Sequence, residues 1–256
     1  MSLIDIITQP WAIIPAQLEQ IQAIVTQHLA GPKIGLKEIE ARIMSIDDLV
    51  PKGYEVQNGK AIIPVKGALA KNPDIFSRIF LGDGSTTQIK SDFLAALNDD
   101  AVSEIVLYVD SPGGTVDGTM DLAETIYNSR GKKPITAYSD GVIASAAYWI
   151  GAASDKIMIA NDTTTVGSIG VVSTHVDETK ALEEMGLKVT QFIAGKYKNI
   201  GSSVRPLTEE DSAYIQDRLD YLYSAFVDSV AKYRGVSSET VLSDMADGRI
   251  FTGKQA

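Results

Sequence analysis

The sequence contains no cysteine and only two histidines, His28 and His175, among its 256 residues. The absence of cysteine excludes disulfide bridges, thiol nucleophiles and cysteine-ligated metal sites. Two imidazoles are too few for most histidine-rich metal centres, so we expect neither a metal ion nor another cofactor. The chemistry of this chain must therefore be sought in other side chains.

Long apolar runs are also missing. No run reaches the roughly 18 residues that a membrane span requires. The N-terminal segment MSLIDIITQPWAII contains Asp5 and lacks the basic start of a signal peptide. The formal net charge of −10 argues against nucleic acid or an anionic membrane as a partner. We expect a soluble, intracellular protein with no membrane and no nucleic-acid partner.

From residue 61 onwards, apolar segments with strand character alternate with amphipathic helical segments. The predicted strands are AIIPVKG, EIVLYVD, PITAYS, KIMIA, SIGVVST and LKVTQFIA. A long helix is predicted to begin at Thr208, where Asp211 completes a capping box. Strand–helix alternation of this kind predicts an α/β fold in which helices flank a parallel sheet.

The two ends of the chain differ from this pattern. Residues 1–55 are predicted to be an N-terminal helical extension and linker, and residues 56–256 the main domain. The helix of the extension is predicted over 18–29, and the linker over 45–60 has no periodicity. At the other end, DGRIFTGKQA begins a helix of which only four residues remain, so we expect the natural protein to continue past Ala256.

The segment DSPGGTVDG, residues 110–118, lies between a predicted buried strand and the start of a helix. Gly113 and Gly114 give the backbone conformations that other residues avoid. Their N–H groups can then converge with a helix N-terminus on a developing negative charge. This segment is a candidate oxyanion hole, although a plain strand-to-helix turn would have a similar sequence.

Ser145 is the candidate nucleophile, because it lies among alanines at the end of the next predicted strand, in GVIASAAYWIGAASDKI. A serine hydroxyl needs a base beside it before it can attack a carbonyl group. His175 is one possible base, and Lys196 and Lys198 in AGKYKNIG are the others. Periodicity does not choose between the two lysines, because residues two apart in an extended segment share a face.

Five segments in order resemble the signal peptide peptidase A family of serine proteases: LYVDSPGGTVDG, GVIASAAYWIGAASDKI, TTTVGSIGVV, AGKYKNIGS and DGRIFTGKQA. The resemblance implies a ClpP/crotonase-like fold and a Ser–Lys dyad. It implies that Ser145 is the nucleophile, that Lys198 is the general base and that Ser168 orients the lysine. It also implies that Gly113 and Gly114 form the oxyanion hole.

The lysine carries a physical requirement of its own. A lysine accepts a proton only when it is neutral, and an ordinary lysine has a pKa of about 10.4. Burial among apolar side chains lowers such a pKa. Around the lysine implied by the resemblance, the predicted apolar walls are Phe192, Ile193, Tyr197 and Ile200.

The N-terminal segment QPWAIIPAQLEQIQAIVTQHLAG is similar to that of the phage and prophage branch of the family, the capsid-assembly or head-maturation proteases. That similarity implies a serine endopeptidase in the cytoplasm of a bacterial host, which processes a scaffold or capsid protein during head assembly. It also implies a ring-like homo-oligomer. In the resembled family the serine and the lysine of one site can come from neighbouring subunits. Ser145 and Lys198 occupy separate strand–helix units, which do not force them together within one chain, so we expect active sites at the subunit interfaces.

Other functions remain open from the sequence. A soluble enzyme of the signal-peptide-peptidase type would degrade peptides with the same dyad. A ClpP-like protease would pair Ser145 with His175, and an acyl-CoA enzyme of the same fold would use the glycine turn for a thioester oxyanion. A protein that assists assembly without catalysis is a further alternative.

Overall fold

The computed structural model describes residues 8–30, 53–73 and 84–256. The helices in these ranges are α1 (Pro15–Ala30), α2 (Thr86–Asn98), α3 (Thr119–Tyr127), α4 (Ala146–Ala152), α5 (Thr179–Glu184), α6 (Glu209–Arg234) and α7 (Ser238–Asp244). The strands are β1 (Trp11–Ile13), β2 (Glu55–Gln57), β3 (Lys60–Lys66), β4 (Leu69–Ala70), β5 (Gly84–Ser85), β6 (Glu104–Asp110), β7 (Gly113–Thr115), β8 (Ile135–Ser139), β9 (Val142–Ala144), β10 (Lys156–Ile159), β11 (Thr165–Gly167) and β12 (Ile250–Thr252). None of the helices in this described part is long and apolar enough to cross a bilayer.

The central sheet has the strand order β10-β8-β6-β3-β2. Strands β3, β6, β8 and β10 are parallel to one another, and β2 pairs antiparallel with β3 at the edge. Pro64 lies beyond the three residues of β3 that β2 pairs with, so its missing N–H group costs no hydrogen bond on that side. The α/β fold with a parallel sheet flanked by helices is confirmed.

Two smaller sheets lie beyond the ends of the central strands. One has the order β1-β7-β4-β5 and the other the order β12-β11-β9. The chain passes from β6 directly into β7, and from β8 directly into β9, so each central strand continues into one of the small sheets. This arrangement brings the predicted glycine turn and the predicted nucleophile to the same end of the central sheet.

The hydrophobic core packs α2, α3, α4 and the second half of α6 against the central sheet. The ring of Trp149 on α4 stacks on Phe226 of α6, with 4.3 Å between centroids and 6° between planes. Helix α6 begins with the predicted capping box, in which Thr208 and Asp211 bond each other's backbone N–H groups. Its C-terminus is Gly235 in the left-handed conformation.

One strand prediction was wrong. LKVTQFIA, residues 187–194, forms no strand, and its side chains are exposed. SIGVVST, residues 168–174, was also predicted as a strand, but β11 ends just before it, at Gly167. The segment contributes only one isolated bridge, from Val172 to Trp11. Strand formation requires a partner edge, and the described residues offer none to residues 187–194.

The N-terminal extension contains the predicted helix as α1, which starts three residues earlier than expected. Leu18, Ile21 and Val25 are buried as predicted, whereas Ile24 is exposed. The extension also contains β1, a strand that the sequence did not predict, and β1 joins the small sheet of β7. Most of the predicted linker lies outside the described residues, and the division of the chain at residue 55 stays a prediction.

Candidate active site

Ser145 lies at the sharp turn between β9 and α4, where it is the N-cap residue of the helix. Its backbone has φ 54° and ψ −121°, a combination that non-glycine residues rarely adopt. Its N–H donates to the Gly167 carbonyl at 2.7 Å, and its carbonyl accepts the N–H of Trp149 at 2.9 Å. Strained backbone of this kind costs about 1–3 kcal/mol and is concentrated at functional sites.

The hydroxyl group of Ser145 is buried without a partner. The residue is 0% exposed, and among the described residues nothing accepts from or donates to its Oγ. An unsatisfied buried polar group costs about 1–3 kcal/mol. Since neither the strain nor the orphaned hydroxyl benefits the fold, both are best explained by a chemical role for this side chain.

Ser168 lies beside Ser145 because of the strand register. Strands β9 and β11 are parallel, with Ala144 opposite Gly167, so the residue that follows each strand comes to the same place. Ser168 is also buried and also has a positive φ, 55°. Its N–H donates to the carbonyl of Arg249 at 2.8 Å, which fixes the turn.

Gly113 lies against Ser145 from the other side. Its φ is +110°, and a Cβ built on it would lie 2.9 Å from the Cβ of Ser145. Gly114 approaches β4 closely, because a Cβ there would lie 2.1 Å from the Leu69 carbonyl oxygen. The Gly113 N–H donates to the Oγ of Ser111 at 3.2 Å. Both glycines are therefore required by close contacts, and the first of them borders the candidate nucleophile.

Lys198 is not brought to Ser145 within this chain. It lies exposed in the turn over 195–201, where its N–H donates to the carbonyl of Gly195 at 3.1 Å. Lys196 forms an ion pair with Glu210, with 2.5 Å between Nζ and Oε1. The hydrogen bond and charge of Glu210 raise the pKa of Lys196, which favours its protonated form and makes it a poor base.

The turn over 195–201, which we call the lysine turn, is fixed to the start of α6. Tyr197 stacks on Tyr214 with 5.4 Å between centroids. Arg205 donates to both carboxylate oxygens of Asp211, at 2.5 and 2.8 Å, and to the carbonyl of Asn199 at 3.0 Å. The lysine turn is thus held in place by the first turn of α6 while Lys198 itself faces outwards.

The predicted apolar walls around the lysine are wrong for a single chain. Phe192 is 95% exposed, and Ile193 and Tyr197 are more exposed than buried. Ile200 is only half-buried. The residues were correctly identified as apolar neighbours of the lysine in sequence, but the described part of this chain does not fold over them.

His175 forms a hydrogen bond with another part of the chain and not with Ser145. Its Nε2 lies 3.2 Å from the carbonyl oxygen of Ser202, and the Oγ of Ser145 has no hydrogen-bond partner among the residues described. The alternative of a Ser145–His175 pair therefore has no support in the geometry. Within the same described ranges, no group of three or more His, Asp or Glu side chains could hold a metal ion.

Sequence reasoning missed two neighbours of the site. The hydroxyl of Ser111 donates to the Gly67 carbonyl at 2.6 Å and accepts the N–H of Gly113, so it holds the glycine turn in place. Strand β1 runs past the same turn, with Ala12 opposite Gly114 and Ile13 opposite Gly113. The Asp-Ser-Pro start of the turn was a usable signal for Ser111, but a three-residue strand between Pro10 and Pro15 has no periodicity to detect.

The sequence profile of Peptidase family S49 matches residues 128–256, which is half of the chain. The chain belongs to this peptidase family. The match includes Ser145, Ser168 and Lys198, whereas the glycine turn and β1 precede it. Membership agrees with the resemblance seen in the five sequence segments.

Individual relatives match the chain further towards its N-terminus. A putative protease of Methanocaldococcus jannaschii is 34% identical over 77% of this chain and 70% of its own length. The capsid assembly protease C of Escherichia phage lambda is 29% identical over 91% of this chain and 53% of its own. A putative signal peptide peptidase of Enterococcus faecium is 35% identical over 62% of this chain and 46% of its own. The chain thus spans about half the length of the latter two relatives.

Among solved structures, a ClpP1 variant from Listeria monocytogenes has a TM-score of 0.44 and 12% sequence identity. The likeness covers 76% of this chain and 84% of that one.

Proposed function

We propose that the protein is a serine endopeptidase in which Ser145 is the nucleophile and Lys198 the general base. The observation that carries the proposal is the conformation of Ser145, which is strained, buried and without a hydrogen-bond partner beside Gly113 and Ser168. Because the chain belongs to a peptidase family, the reaction proposed for this site is hydrolysis of a peptide bond. Lys198 is preferred to Lys196, because Glu210 pairs with Lys196 and leaves Lys198 free of an ion pair among the described residues.

The proposed reaction begins when neutral Lys198 removes the proton from the Oγ of Ser145. The Oγ bonds to the carbonyl carbon of the substrate, and the negative charge that forms on the carbonyl oxygen is held by N–H groups of the Gly113–Gly114 turn. Each such donor is typically worth about 3 kcal/mol in the transition state. Lys198 then protonates the leaving amine as the C–N bond breaks. Water hydrolyses the ester and returns the proton to Ser145 by way of Lys198.

The lysine is proposed to come from a neighbouring subunit. In a single chain Lys198 is exposed, while Ser145 is buried and its Oγ has no partner among the described residues. An apolar strip over residues 185–193 is exposed beside the lysine turn and includes Phe192. Exposed apolar surface of this kind is typical of an interface. Packing of this strip against a second copy would bury the lysine and bring it to the other subunit's serine.

The substrate is proposed to be a scaffold or capsid protein of a bacteriophage, cleaved in the cytoplasm of the bacterial host. The named capsid assembly protease of phage lambda matches 91% of this chain, including its N-terminal part, whereas the named signal peptide peptidase matches 62%. The wider match favours the phage role over general peptide degradation by a soluble signal-peptide-peptidase-like enzyme.

The two lysines provide a matched pair of variants for testing the base. We expect Lys198→Ala to reduce kcat for casein cleavage by at least a thousandfold, because Ser145 then has no proton acceptor. Lys196→Ala should retain most of the activity, since it removes only an exposed ion pair with Glu210. Labelling of Ser145 by a fluorophosphonate reagent, detected by mass spectrometry, should follow the same order. Equal activity of the two variants would contradict the assignment.

A further inference from the structure

Strand β1 lies between the two strand edges that border Ser145. On one side, Trp11 pairs with Thr115 and Ile13 with Gly113, in antiparallel register along β7. On the other side, Trp11 and Val172 exchange both of their backbone hydrogen bonds, each 2.8 Å long. The segment after Ser168 and the segment after Gly113 are therefore bridged by three residues of the N-terminal extension.

The backbone of β1 passes next to the candidate nucleophile. A Cβ placed on Gly113 would lie 2.3 Å from the carbonyl oxygen of Ala12 and 2.9 Å from the Cβ of Ser145. The Ala12 oxygen and the Ser145 Cβ are thus no farther apart than the sum of these two distances. No second polypeptide backbone fits between them.

Strand β1 also occupies one of the two proposed oxyanion donors, the N–H group of Gly114. Ile14 donates to the Pro112 carbonyl at 3.0 Å and Val116 donates to the Pro10 carbonyl at 3.2 Å. Hydrogen-bonded pairs alternate along an antiparallel ladder, so the Ala12–Gly114 pair between them is the next bonded pair. The Gly114 N–H therefore points to Ala12, while the Gly113 N–H donates to Ser111.

Extended substrates commonly bind as an added strand, with backbone hydrogen bonds to exposed sheet edges. Here the edges beside Ser145 are already filled, and both Ser145 and Trp11 are 0% exposed. We propose that β1 is an intramolecular inhibitory strand that occupies the substrate groove and must leave before a polypeptide reaches Ser145. This proposal rests on the proposed function, which makes Ser145 the nucleophile.

The packing of β1 permits such a departure. Trp11 and Ile13 belong to a small hydrophobic cluster whose other buried members are Leu18, Ile21, Val25 and Ala68, whereas Ala12 packs in the main core. A side-chain hydrogen bond from Gln22 to Thr174, 2.9 Å long, joins α1 to the segment after β11. Release of β1 together with α1 would therefore remove only the small Ala12 side chain from the main core.

The strand also indicates which polypeptide would replace it. Residues 10–14 read Pro-Trp-Ala-Ile-Ile, which is uncharged and apolar throughout. The small residue, Ala12, is the one whose carbonyl faces the Gly113–Ser145 contact. The groove is thus suited to an extended apolar segment with a small residue nearest the nucleophile.

A cysteine probe tests the departure of β1 without any catalysis. The chain has no natural cysteine, so Ile13→Cys introduces a single buried thiol in β1, and Ile63→Cys a matched thiol in the central sheet. The peptide TQPWAIIPA, a copy of residues 8–16, is added to each full-length variant in a Ser145→Ala background. We expect the peptide to accelerate the reaction of the β1 thiol with Ellman's reagent at least tenfold and saturably, and to leave the rate of the Ile63→Cys variant unchanged.

Absence of acceleration at millimolar peptide, with folded protein shown by circular dichroism, would overturn the proposal, because β1 would then be a fixed part of the fold. A proline-substituted peptide, TQPWPIPPA, controls for non-specific binding, since it lacks the N–H groups at the positions of Ala12 and Ile14, which face β7.

A kinetic comparison of full-length variants provides a second test of the inhibitory strand. Trp11→Ala weakens the attachment of β1 and should lower KM for casein at least fivefold, whereas Phe93→Ala, a comparable truncation in the main core, should not. An unchanged or raised KM for Trp11→Ala would count against the inhibitory strand. If no variant cleaves anything while the thiol of the Ile13→Cys variant still responds to the peptide, the proposed function fails and the groove assignment survives.

Discussion

A Cβ at position 113 would lie 2.3 Å from the Ala12 carbonyl oxygen and 2.9 Å from the Ser145 Cβ, so any side chain there displaces β1 and Ser145. We expect Gly113→Ala to reduce kcat/KM for casein by about a hundredfold or more, because displacement of a nucleophile by about 1 Å has effects of that size. Gly131→Ala is the matched control. Its φ of +83° is equally unfavourable for alanine, but a Cβ there meets nothing within 4 Å.

Gly131→Ala should therefore show only the conformational cost of about 1–2 kcal/mol in the free energy of unfolding, with activity retained. If the two variants lost the same activity, the close contact between Gly113 and Ser145 would have no catalytic meaning.

Asp211 provides a pH-dependent test at the residue scale. The guanidinium of Arg205 and the backbone N–H of Thr208 hold the pKa of Asp211 well below its usual range. Because the folded state has the lower pKa, the ionised carboxylate stabilises the fold above the unfolded pKa of about 3.9, and this contribution is lost as the pH falls through the folded pKa. We expect Asp211→Asn to lower Tm at pH 7.

The Tm difference between wild type and Asp211→Asn should shrink as the pH falls from about 4 to about 2, as followed by thermal unfolding at each pH. Asp217→Asn, on the exposed side of the same helix, is the control. A Tm difference that did not change with pH would mean that the carboxylate charge of Asp211 does not stabilise the lysine turn.

At the scale of elements, the C-terminus of α4 depends on one side chain. Arg130 donates to the carbonyls of Ala152, Ala153 and Ser154, and also to the carbonyl of Tyr233 at the end of α6. Hydrogen bonds from a charged donor are worth about 1.5–3 kcal/mol each when a buried partner would otherwise be unsatisfied. We expect Arg130→Met to lower the free energy of unfolding by about 3 kcal/mol in urea titrations.

Arg234→Met is the control, because the hydrogen bond from Arg234 to the Ser154 carbonyl is long, 3.4 Å. Loss of this hydrogen bond should lower the free energy of unfolding by less than about 1 kcal/mol. Since α4 carries Ser145 at its other end, Arg130→Met should also reduce activity at temperatures where the protein remains folded. A stable Arg130→Met variant would show that the α4 C-terminus needs no side-chain cap.

The elements differ in how far their sequences determine them. The central strands and the helices α2 and α6 were predictable, because each has its own periodicity and, in α6, its own cap. The meeting of Gly113 and Ser145 was also foreseeable, since each follows a predicted strand of one parallel arrangement. Ser168 was implied only by the family resemblance, because the strand predicted there began at Ser168 and the actual strand ends before it. Residues 187–194 have strand composition but no strand, because pairing depends on a partner edge and not on composition alone.

Strand β1 was not predicted, for the opposite reason. Its three residues pair with β7, Trp11 also bridges to Val172, and all three are buried, although they contain no pattern that distinguishes them from a loop. The position of Lys198 within one chain was likewise not predictable, because Lys198 was expected to follow the strand over 187–194, and that strand does not form.

At the scale of the whole molecule, several of the most exposed apolar side chains in the described part of the chain lie near the lysine turn. Met185, Leu187, Phe192 and Ile193 are exposed there, and Tyr221 is exposed on α6. Acidic chains of net charge −10 repel one another, so the proposed assembly of subunits would need a specific apolar contact. Activity that depends on this contact would appear only where subunits are concentrated.

In the proposed enzyme, one active site takes Ser145 from one subunit and Lys198 from the next. The most direct measurement mixes two inactive variants, Ser145→Ala and Lys198→Ala, after dissociation and reassociation, and follows casein cleavage. A shared site predicts about one quarter of wild-type activity in an equal mixture, because a working site needs an intact serine and an intact lysine from two adjacent subunits. No recovery of activity in any mixture of the reassembled variants would contradict the shared site.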